Sequence, residues 1–115
     1  MKKAWVVFLV LLFAVPCMAE DYAETSGEQT ATGVVYNGES FLTAVEVITD
    51  GTNDAKIIVY DALSTDGKVV FEATIIGTVH YGGRVFIPKV RMQTGIYCVL
   101  SGSGAPSYIV EYTRR

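Results

Sequence analysis

The chain has 115 residues, half of them hydrophobic, with nine basic and twelve acidic side chains and a formal net charge of −3. This length gives room for one domain. The basic residues are scattered and form no positive stripe that could neutralise phosphates, so a nucleic-acid partner is not expected. One histidine and two cysteines are too few for a closed zinc site.

Residues 1–19 have the form of a secretory signal peptide. Lys2 and Lys3 supply a positive start, and an unbroken apolar run follows over residues 4–15. The next four residues end in Ala19, and two acidic residues come directly after it, so cleavage is favoured after Ala19. We therefore expect a secreted or periplasmic protein.

Two other interpretations of the N-terminus remain open. A retained membrane anchor over residues 4–15 is the alternative, but this run is shorter than the roughly 20 residues that a span needs. Lipidation of Cys17 is less favoured, because Pro16 stands where a small residue is usual. After cleavage no stable membrane span is expected, and seven basic residues face twelve acidic ones, a net charge of −5.

The first part of the mature chain is polar and then turns into strands. Residues 20–32 are acidic and have no hydrophobic period, which indicates a flexible lead-in that can join the sheet at its end. A short strand is predicted over residues 33–36. A longer strand over residues 40–49 is apolar on both sides, which is typical of a central strand. Residues 50–54 form a turn cluster.

The strongest hairpin signal lies in residues 55–76, where two β-branched runs flank a polar break that ends in Asp66-Gly67. A two-residue loop would set Asp61 opposite Glu72, which is unfavourable. We therefore expect a loop with an odd number of residues, such as 65–67, or a longer one over residues 62–67. Odd positions then pair with odd positions, and one apolar face is formed by Ile57, Val59, Val69, Phe71, Ala73 and Ile75.

The last third of the chain continues the pattern of short strands and turns. Strands are predicted over residues 84–87, 90–92, 96–100 and 107–112. Pro88 interrupts the first two and indicates an edge, a bulge or a crossover between sheets. No helical period follows the signal peptide. These features predict a single all-β domain over residues 33–115, a β-sandwich or jelly roll of seven or eight antiparallel strands, without choosing between the two.

Two stretches carry a resemblance to a known class of proteins. Residues 94–112 resemble the closing strands of small β-sandwich proteins in the structural gene sets of tailed phages and prophages, and residues 40–61 are similar to the front half of those proteins. The likeness lies in strand pattern and turn placement over residues 33–113. It implies a β-sandwich and a virion-surface or tail accessory role, and it implies no catalytic residues.

The chain offers little material for catalysis or for a bound metal. His80 lies in a glycine-rich loop with no nucleophile motif near it. If Cys17 leaves with the signal peptide, Cys98 is the only cysteine, and its place within a strand favours burial. Asp50, Asn53 and Asp54 favour a turn that bonds its own backbone over a calcium site, which stays the alternative. We expect no enzyme, no cofactor and no metal.

Tyrosines are the most informative side chains for binding. Tyr108, Val110 and Tyr112 share one face of the last strand, and Tyr60 lies on the mixed face of the hairpin. Tyrosine is enriched at interfaces and stacks on sugar rings, so these four residues are the predicted binding or interface residues. The last strand carries one charge and is predicted to be an exposed edge, through which the protein forms homo-oligomers. A glycan- or surface-binding domain that uses the tyrosines is the alternative.

Overall fold

The structure is a computed structural model that describes residues 23–79 and 82–114, without the side chains of Arg84, Phe86 and Pro88. The predicted signal peptide over residues 1–19, its anchor alternative over residues 4–15, and His80 lie outside the described residues. Within them all regular structure is strand. None of them belongs to a helix long and apolar enough to cross a membrane.

The described chain forms eight strands, which we number in chain order: β1 (Ala23–Thr25), β2 (Gly33–Asn37), β3 (Ser40–Ile48), β4 (Ala55–Asp61), β5 (Lys68–Ile75), β6 (Gly82–Met92), β7 (Gly95–Gly102) and β8 (Ser107–Arg114). Sheet A has the order β1-β8-β3-β6, and sheet B has the order β2-β7-β4-β5. All neighbouring strands are antiparallel. The predicted all-β sandwich is confirmed.

The strand order is that of a jelly roll, because the pairs are nested. β1 pairs with β8, β2 with β7, β3 with β6, and β4 with β5, so the chain is one long hairpin rolled into two layers. The inward side chains of both layers form the core. Its fully or almost fully buried members are Leu42, Val45, Val47, Ala55, Ile57, Val59, Met92, Ile96, Cys98, Tyr108, Val110 and Tyr112.

The β4–β5 hairpin has most of the predicted register, although for a different reason. Val59 lies opposite Phe71 and Ile57 opposite Ala73, so odd positions pair with odd positions as predicted. The strands end at Asp61 and begin again at Lys68, so the connection is the longer predicted loop over residues 62–67. That loop has an even number of residues, and an extra residue at Val70 restores the parity.

This bulge corrects one predicted position. Val69 lies opposite Tyr60 and is 45% exposed, so it belongs to the outer face and not to the apolar core face. Val70 is packed against the core in its place. A single inserted residue inverts the alternation of side chains beyond it, and sequence parity alone does not reveal the insertion.

Strand β3 is central in sheet A, as predicted, and a register shift between Leu42 and Ala44 changes which side chains share its inner face. Leu42 lies in the core with Val45 and Val47, whereas simple alternation places it on the opposite side. On β6 the shift lies in residues 87–89, around Pro88, and β6 is one of the two edge strands of sheet A. The predicted edge and bulge are confirmed, and the two predicted strands around Pro88 are one strand.

The described part of the lead-in predicted over residues 20–32 joins sheet A. Residues 23–25 form β1 and pair with β8, and Gln29 forms a further antiparallel bridge to Tyr108. The backbone N–H of Ser26 also donates to the carbonyl of Val110 at 2.9 Å. The segment therefore completes sheet A and covers the side of β8 that β3 leaves open.

Candidate functional site

Three of the four predicted interface residues lie in the core. Tyr108, Val110 and Tyr112 are 1%, 0% and 6% exposed. Their strand β8 lies between β1 and β3, and these alternate side chains point towards sheet B. The Tyr108 hydroxyl donates to the carbonyl of Ala31 at 3.1 Å. An interface formed by these three side chains on an exposed edge strand is therefore wrong, because β8 is neither an edge nor open on that face.

Tyr60, the fourth predicted residue, lies on the outer face of sheet B and is half-buried. Along β4 the outward positions Ile58 and Tyr60 alternate with the core residues Ile57 and Val59, so the Tyr60 ring points away from sheet A. Directly opposite on β7 lies Tyr97. The two ring centroids are 6.3 Å apart at an interplanar angle of 63°, an edge-to-face contact that favours this pair beyond simple burial.

The two tyrosines are the middle of an apolar row that crosses all four strands of sheet B. Val34 on β2 lies opposite Tyr97, and Val69 on β5 lies opposite Tyr60. The two valines are 50% and 45% exposed. We call Val34, Tyr97, Tyr60 and Val69 the outer row. Because paired residues share a face, the outer row forms one continuous strip on the outside of the sandwich.

A second row lies beside the outer row and adds charge at one end. Val99 on β7 lies opposite Ile58 on β4, and Ile58 lies opposite Glu72 on β5. Lys56 Nζ is 2.7 Å from the Glu72 carboxylate, with both side chains about half exposed. An ion pair this exposed adds little to stability. The outer face of sheet B is therefore mostly apolar, with one neutralised charge pair near β5.

Of the outer row, the sequence predicts only Tyr60 as a contact residue. Val34, Tyr97 and Val69 carry the alternation of ordinary strand residues, and nothing local shows that they meet. Tyr60 and Tyr97 come together only through the pairing of β4 with β7. One local feature does point to this face: the even positions of β4 include Ile58 and Tyr60, which are less polar than the residues usual on a solvent-facing side of a strand.

The carboxylates around the loops have structural partners. Both Asp50 oxygens are used: Oδ1 accepts from the backbone N–H groups of Thr52 and Asn53 at 2.8 and 2.7 Å, and Oδ2 accepts from Asn53 Nδ2 at 2.7 Å. These bonds, the one from the Asn53 backbone foremost, lower the pKa of Asp50. The predicted turn chemistry is confirmed. The described residues contain no group of three or more histidine, cysteine, aspartate or glutamate side chains placed to hold a metal ion.

Asp61 joins the hairpin to the connection between the sheets. Its carboxylate accepts from the backbone N–H groups of Gln93, Thr94 and Gly95 at 3.0, 2.9 and 3.4 Å. Partial burial raises the pKa of this carboxyl, but the three N–H donors and the charge of Lys68 outweigh burial and lower it. The side chain thereby holds the end of β4 against the turn between β6 and β7.

Cys98 is fully buried on the inner face of β7, as predicted. Burial raises the pKa of its thiol from the ordinary 9.0 to about 12. At neutral pH the group is therefore a protonated thiol that contacts only the core. It acts as a small hydrophobic side chain and has no access to a substrate.

A comparison with protein-family models finds no match for this chain, and a comparison with curated proteins finds none either. The outer face of sheet B is therefore interpreted from its own residues. It is an aromatic and aliphatic strip on a rigid sheet, which is the composition of a contact surface more than of a reaction centre.

Proposed function

We propose that this protein is a non-catalytic, exported interaction module that self-associates, comparable to a surface or accessory protein of a phage or prophage. The observation that carries the proposal is the outer row, an apolar strip that crosses every strand of sheet B. Single exposed apolar side chains are ordinary, whereas contiguous ones mark interaction sites. The outer row joins two half-exposed valines through two tyrosines.

The composition of the strip favours a protein partner. Tyrosine is enriched at protein interfaces, and the centre of an interface is poor in charge. Here the charge pair of Lys56 with Glu72 is neutral as a unit and lies beside the strip. A second copy of the chain would offer the same strip, and symmetric pairing of identical patches is the commonest way in which soluble chains associate.

The non-catalytic part of the proposal is supported by how the reactive groups are used. The carboxylate oxygens of Asp50 and Asp61 accept hydrogen bonds from N–H groups, and the Cys98 thiol is buried in the core. Export is supported by the composition of residues 1–19. The phage-like role is supported by the resemblance over residues 33–113 and by the jelly roll, a fold that viral capsid domains use.

Charge placed in the outer row tests the proposal. Val34→Glu and Tyr60→Glu would each set a carboxylate within the contact, and we expect each to weaken self-association at least about tenfold, which is about 1.4 kcal/mol. The measurement is sedimentation equilibrium on the protein produced from the full-length sequence. Thr52→Glu, in an exposed turn, adds the same charge elsewhere and should leave association unchanged.

Two results would contradict this proposal. The first is a monomeric parent protein at concentrations up to the high micromolar range. The second is an oligomer whose dissociation constant is the same in Val34→Glu, Tyr60→Glu and Thr52→Glu. Urea unfolding of each variant separates a lost contact from a lost fold.

A glycan-binding function is the second candidate, and the Tyr60–Tyr97 pair favours it. Aromatic rings on the outer face of a jelly roll can stack on sugars, and lectin domains use this fold. The 63° angle between the rings means that a flat sugar ring can lie on only one of them at a time. A glycan array would decide: binding by the parent protein that Tyr60→Ala and Tyr97→Ala both abolish would favour this candidate.

A further inference from the structure

The edge of β5 is a second surface of interest, separate from the outer face. β5 is the last strand of sheet B and pairs with β4 on one side, and no described strand lies on its other side. Such an edge presents a row of backbone N–H and C=O groups that can pair with another strand. Natural sheets usually block their edges with prolines, bulges, charges or very short strands.

The other three sheet edges of the described domain carry such blocks. β1 has only three residues, and β2 has five with a register shift. β6 carries Pro88, which has no N–H to donate, and its register also shifts there.

β5 is blocked only at its beginning, by Lys68 and the bulge at Val70. Its second half, residues 71–75, pairs with β4 one residue for one residue and contains no proline. The one charge in that half, Glu72, is balanced by Lys56 at 2.7 Å.

We infer that β5 pairs with β5 of a second copy of this chain, antiparallel over residues 71–75 and centred on Ala73. The pairing joins two B sheets into one continuous sheet of eight strands. It adds a contact to the proposed self-association and does not depend on the outer row, because it uses backbone groups at the edge and not side chains on the face.

The centre of this pairing follows from symmetry and side chains. A two-fold axis perpendicular to the sheet keeps both core faces on one side and sets one residue opposite itself. A centre at Glu72 would oppose two carboxylates, which is unfavourable. A centre at Phe71 would bring the bulged Val70 into the ladder. A centre at Thr74 would reach Ile76, beyond the end of the strand.

A centre at Ala73 avoids these conflicts. Phe71 of each copy then lies opposite Ile75 of the other, and Glu72 lies opposite Thr74. Phe71, Ala73 and Ile75 are half-buried and packed against the core of their own domain, so the pairing would cover the side of the core that they leave open. The small side chain of Ala73 at the axis allows close approach of the two strands.

A charge placed at Thr74 should change the free energy of unfolding and the strength of association in opposite directions. Within one chain Thr74 lies opposite Lys56, and in the proposed pairing it lies opposite Glu72 of the second copy. Thr74→Glu should leave the free energy of unfolding unchanged or slightly higher and weaken association at least about threefold, because two carboxylates then meet. Thr74→Lys should lower the stability slightly and strengthen association by a similar factor.

Sedimentation equilibrium on the full-length protein measures the association, and urea unfolding measures the fold. Thr65→Glu and Thr65→Lys, at an exposed position of the 62–67 loop, carry the same changes of net charge and should alter neither. Association that changes in the same direction for Thr74→Glu and Thr74→Lys, or equally in the Thr65 pair, overturns the inference.

Cross-linking tests the register itself. A cysteine at position 73 would lie opposite its own copy, with Cα atoms about 4.5–5.5 Å apart, within the range of a disulfide. A cysteine at position 74 would lie about 7–8 Å from its copy, which is too far. Ala73→Cys should therefore give a disulfide-linked dimer under mild oxidation and Thr74→Cys should not. Equal cross-linking of both variants, or of neither, overturns the inference.

The variants at Val34 and Thr74 together show whether the chains associate through the outer row or through the edge of β5. Loss of association in Val34→Glu with no effect at Thr74 would support the face and contradict the edge. The opposite pattern would support the edge alone. A monomeric parent protein that also fails to cross-link through Ala73→Cys would contradict both.

Discussion

Asp61 illustrates how much a single side chain contributes to this fold. Its carboxylate accepts bonds from three consecutive backbone N–H groups at the turn between β6 and β7. That turn carries the chain from sheet A to sheet B, so the side chain links the two layers at one end. Bonds from neutral donors to a carboxylate are stronger than bonds between neutral groups.

We expect Asp61→Asn to lower the free energy of unfolding by about 1–2 kcal/mol at neutral pH, because the amide keeps one acceptor and loses the charge. Asp66→Asn, in the exposed loop next to it, should change stability by less than about 0.5 kcal/mol. Urea unfolding measures both. Equal losses in the two variants would contradict the role of Asp61.

The Asp61 carboxylate should also make the free energy of unfolding depend on pH in the acid range. Its pKa is lowered in the folded chain, so in acid the unfolded chain binds the proton more readily and stability falls with pH. The contribution is complete above the ordinary aspartate value of 3.8 and is lost as the pH falls through the lowered pKa. The difference between the parent protein and Asp61→Asn should therefore shrink towards about pH 2, and a constant difference would contradict the assignment.

At this scale the sequence predicted some site residues and not others. The burial of Cys98 and the partial exposure of Tyr60 can both be predicted from where each residue stands in the alternation of its strand. Alternation does not predict the burial of Tyr108 and Tyr112, because it shows which residues share a face and not which face is covered. Sheet B covers the face of β8 that carries these tyrosines, and the pairing of β8 with β1, far away in sequence, removes the exposed edge.

Among the elements, β4 shows most directly how alternation divides core from surface. Ile57 is fully buried and belongs to the core, whereas its neighbour Ile58 is half-buried on the outer face. Both lie in the same strand and have the same shape, so they differ only in what covers them. β4 is central in sheet B, which excludes an effect of fraying at an edge.

We expect Ile57→Ala to cost about 3–4 kcal/mol, since it removes a buried aliphatic side chain and leaves a cavity. Ile58→Ala should cost about 1 kcal/mol or less. Chemical denaturation of the two variants gives the comparison. A loss at Ile58 as large as at Ile57 would mean that the outer face is covered within the monomer.

Most elements could be predicted because their signals are local. The strand starts at Gly33 and Ser40 and the turn at 50–54 follow from nearby glycine, asparagine and aspartate residues. β1 could not be predicted as a strand, because three residues, two of them polar, carry no pattern and gain their structure from a distant strand. The bulge at Val70 shifts the β4–β5 register by one residue, and the irregularity near Pro88 shifts the β3–β6 register by two. Of the two, only the second has a local sequence signal, the proline.

For the molecule as a whole, the core contains a thiol and a phenol that lose their protons at a higher pH than usual. Burial raises the pKa of Cys98 from 9.0 to about 12 and that of Tyr108 from 10.0 to about 12. They come from different sheets and both belong to the core cluster. Folding keeps both groups protonated at a pH where the unfolded chain has lost these protons.

The fold should therefore weaken in alkali. Between about pH 9 and pH 10 the unfolded chain binds fewer protons at Cys98 than the folded chain, so stability falls by up to about 1.4 kcal/mol per pH unit from this group. Cys98→Ala should show a shallower fall over this range, whatever its stability at neutral pH. Urea unfolding at several pH values measures the slopes. Parallel slopes in parent and variant would contradict the prediction.

The arrangement of the whole molecule is the level at which the sequence was least informative. Seven or eight strands in antiparallel pairs fit several sandwiches, and the choice of a jelly roll depends on pairs such as β2 with β7 and β1 with β8. These pairs join residues far apart in sequence, and no local propensity encodes them. The outer row depends on the same long-range pairing.

The pairing of β1 with β8 also determines on which side of the domain a tether at either end of the described chain would lie. Ala23 lies opposite Thr113, and Glu24 forms an ion pair with Arg114, so the described chain enters and leaves the sandwich at one place. β1 is an outermost strand of sheet A, and β5 is the outermost strand of sheet B next to β6, at the other side of the sandwich. Anything joined to the chain before β1 or after β8 is therefore attached away from β5. A domain tethered in this way, to a larger particle or to an affinity support, would keep that strand turned outwards and available to a neighbour.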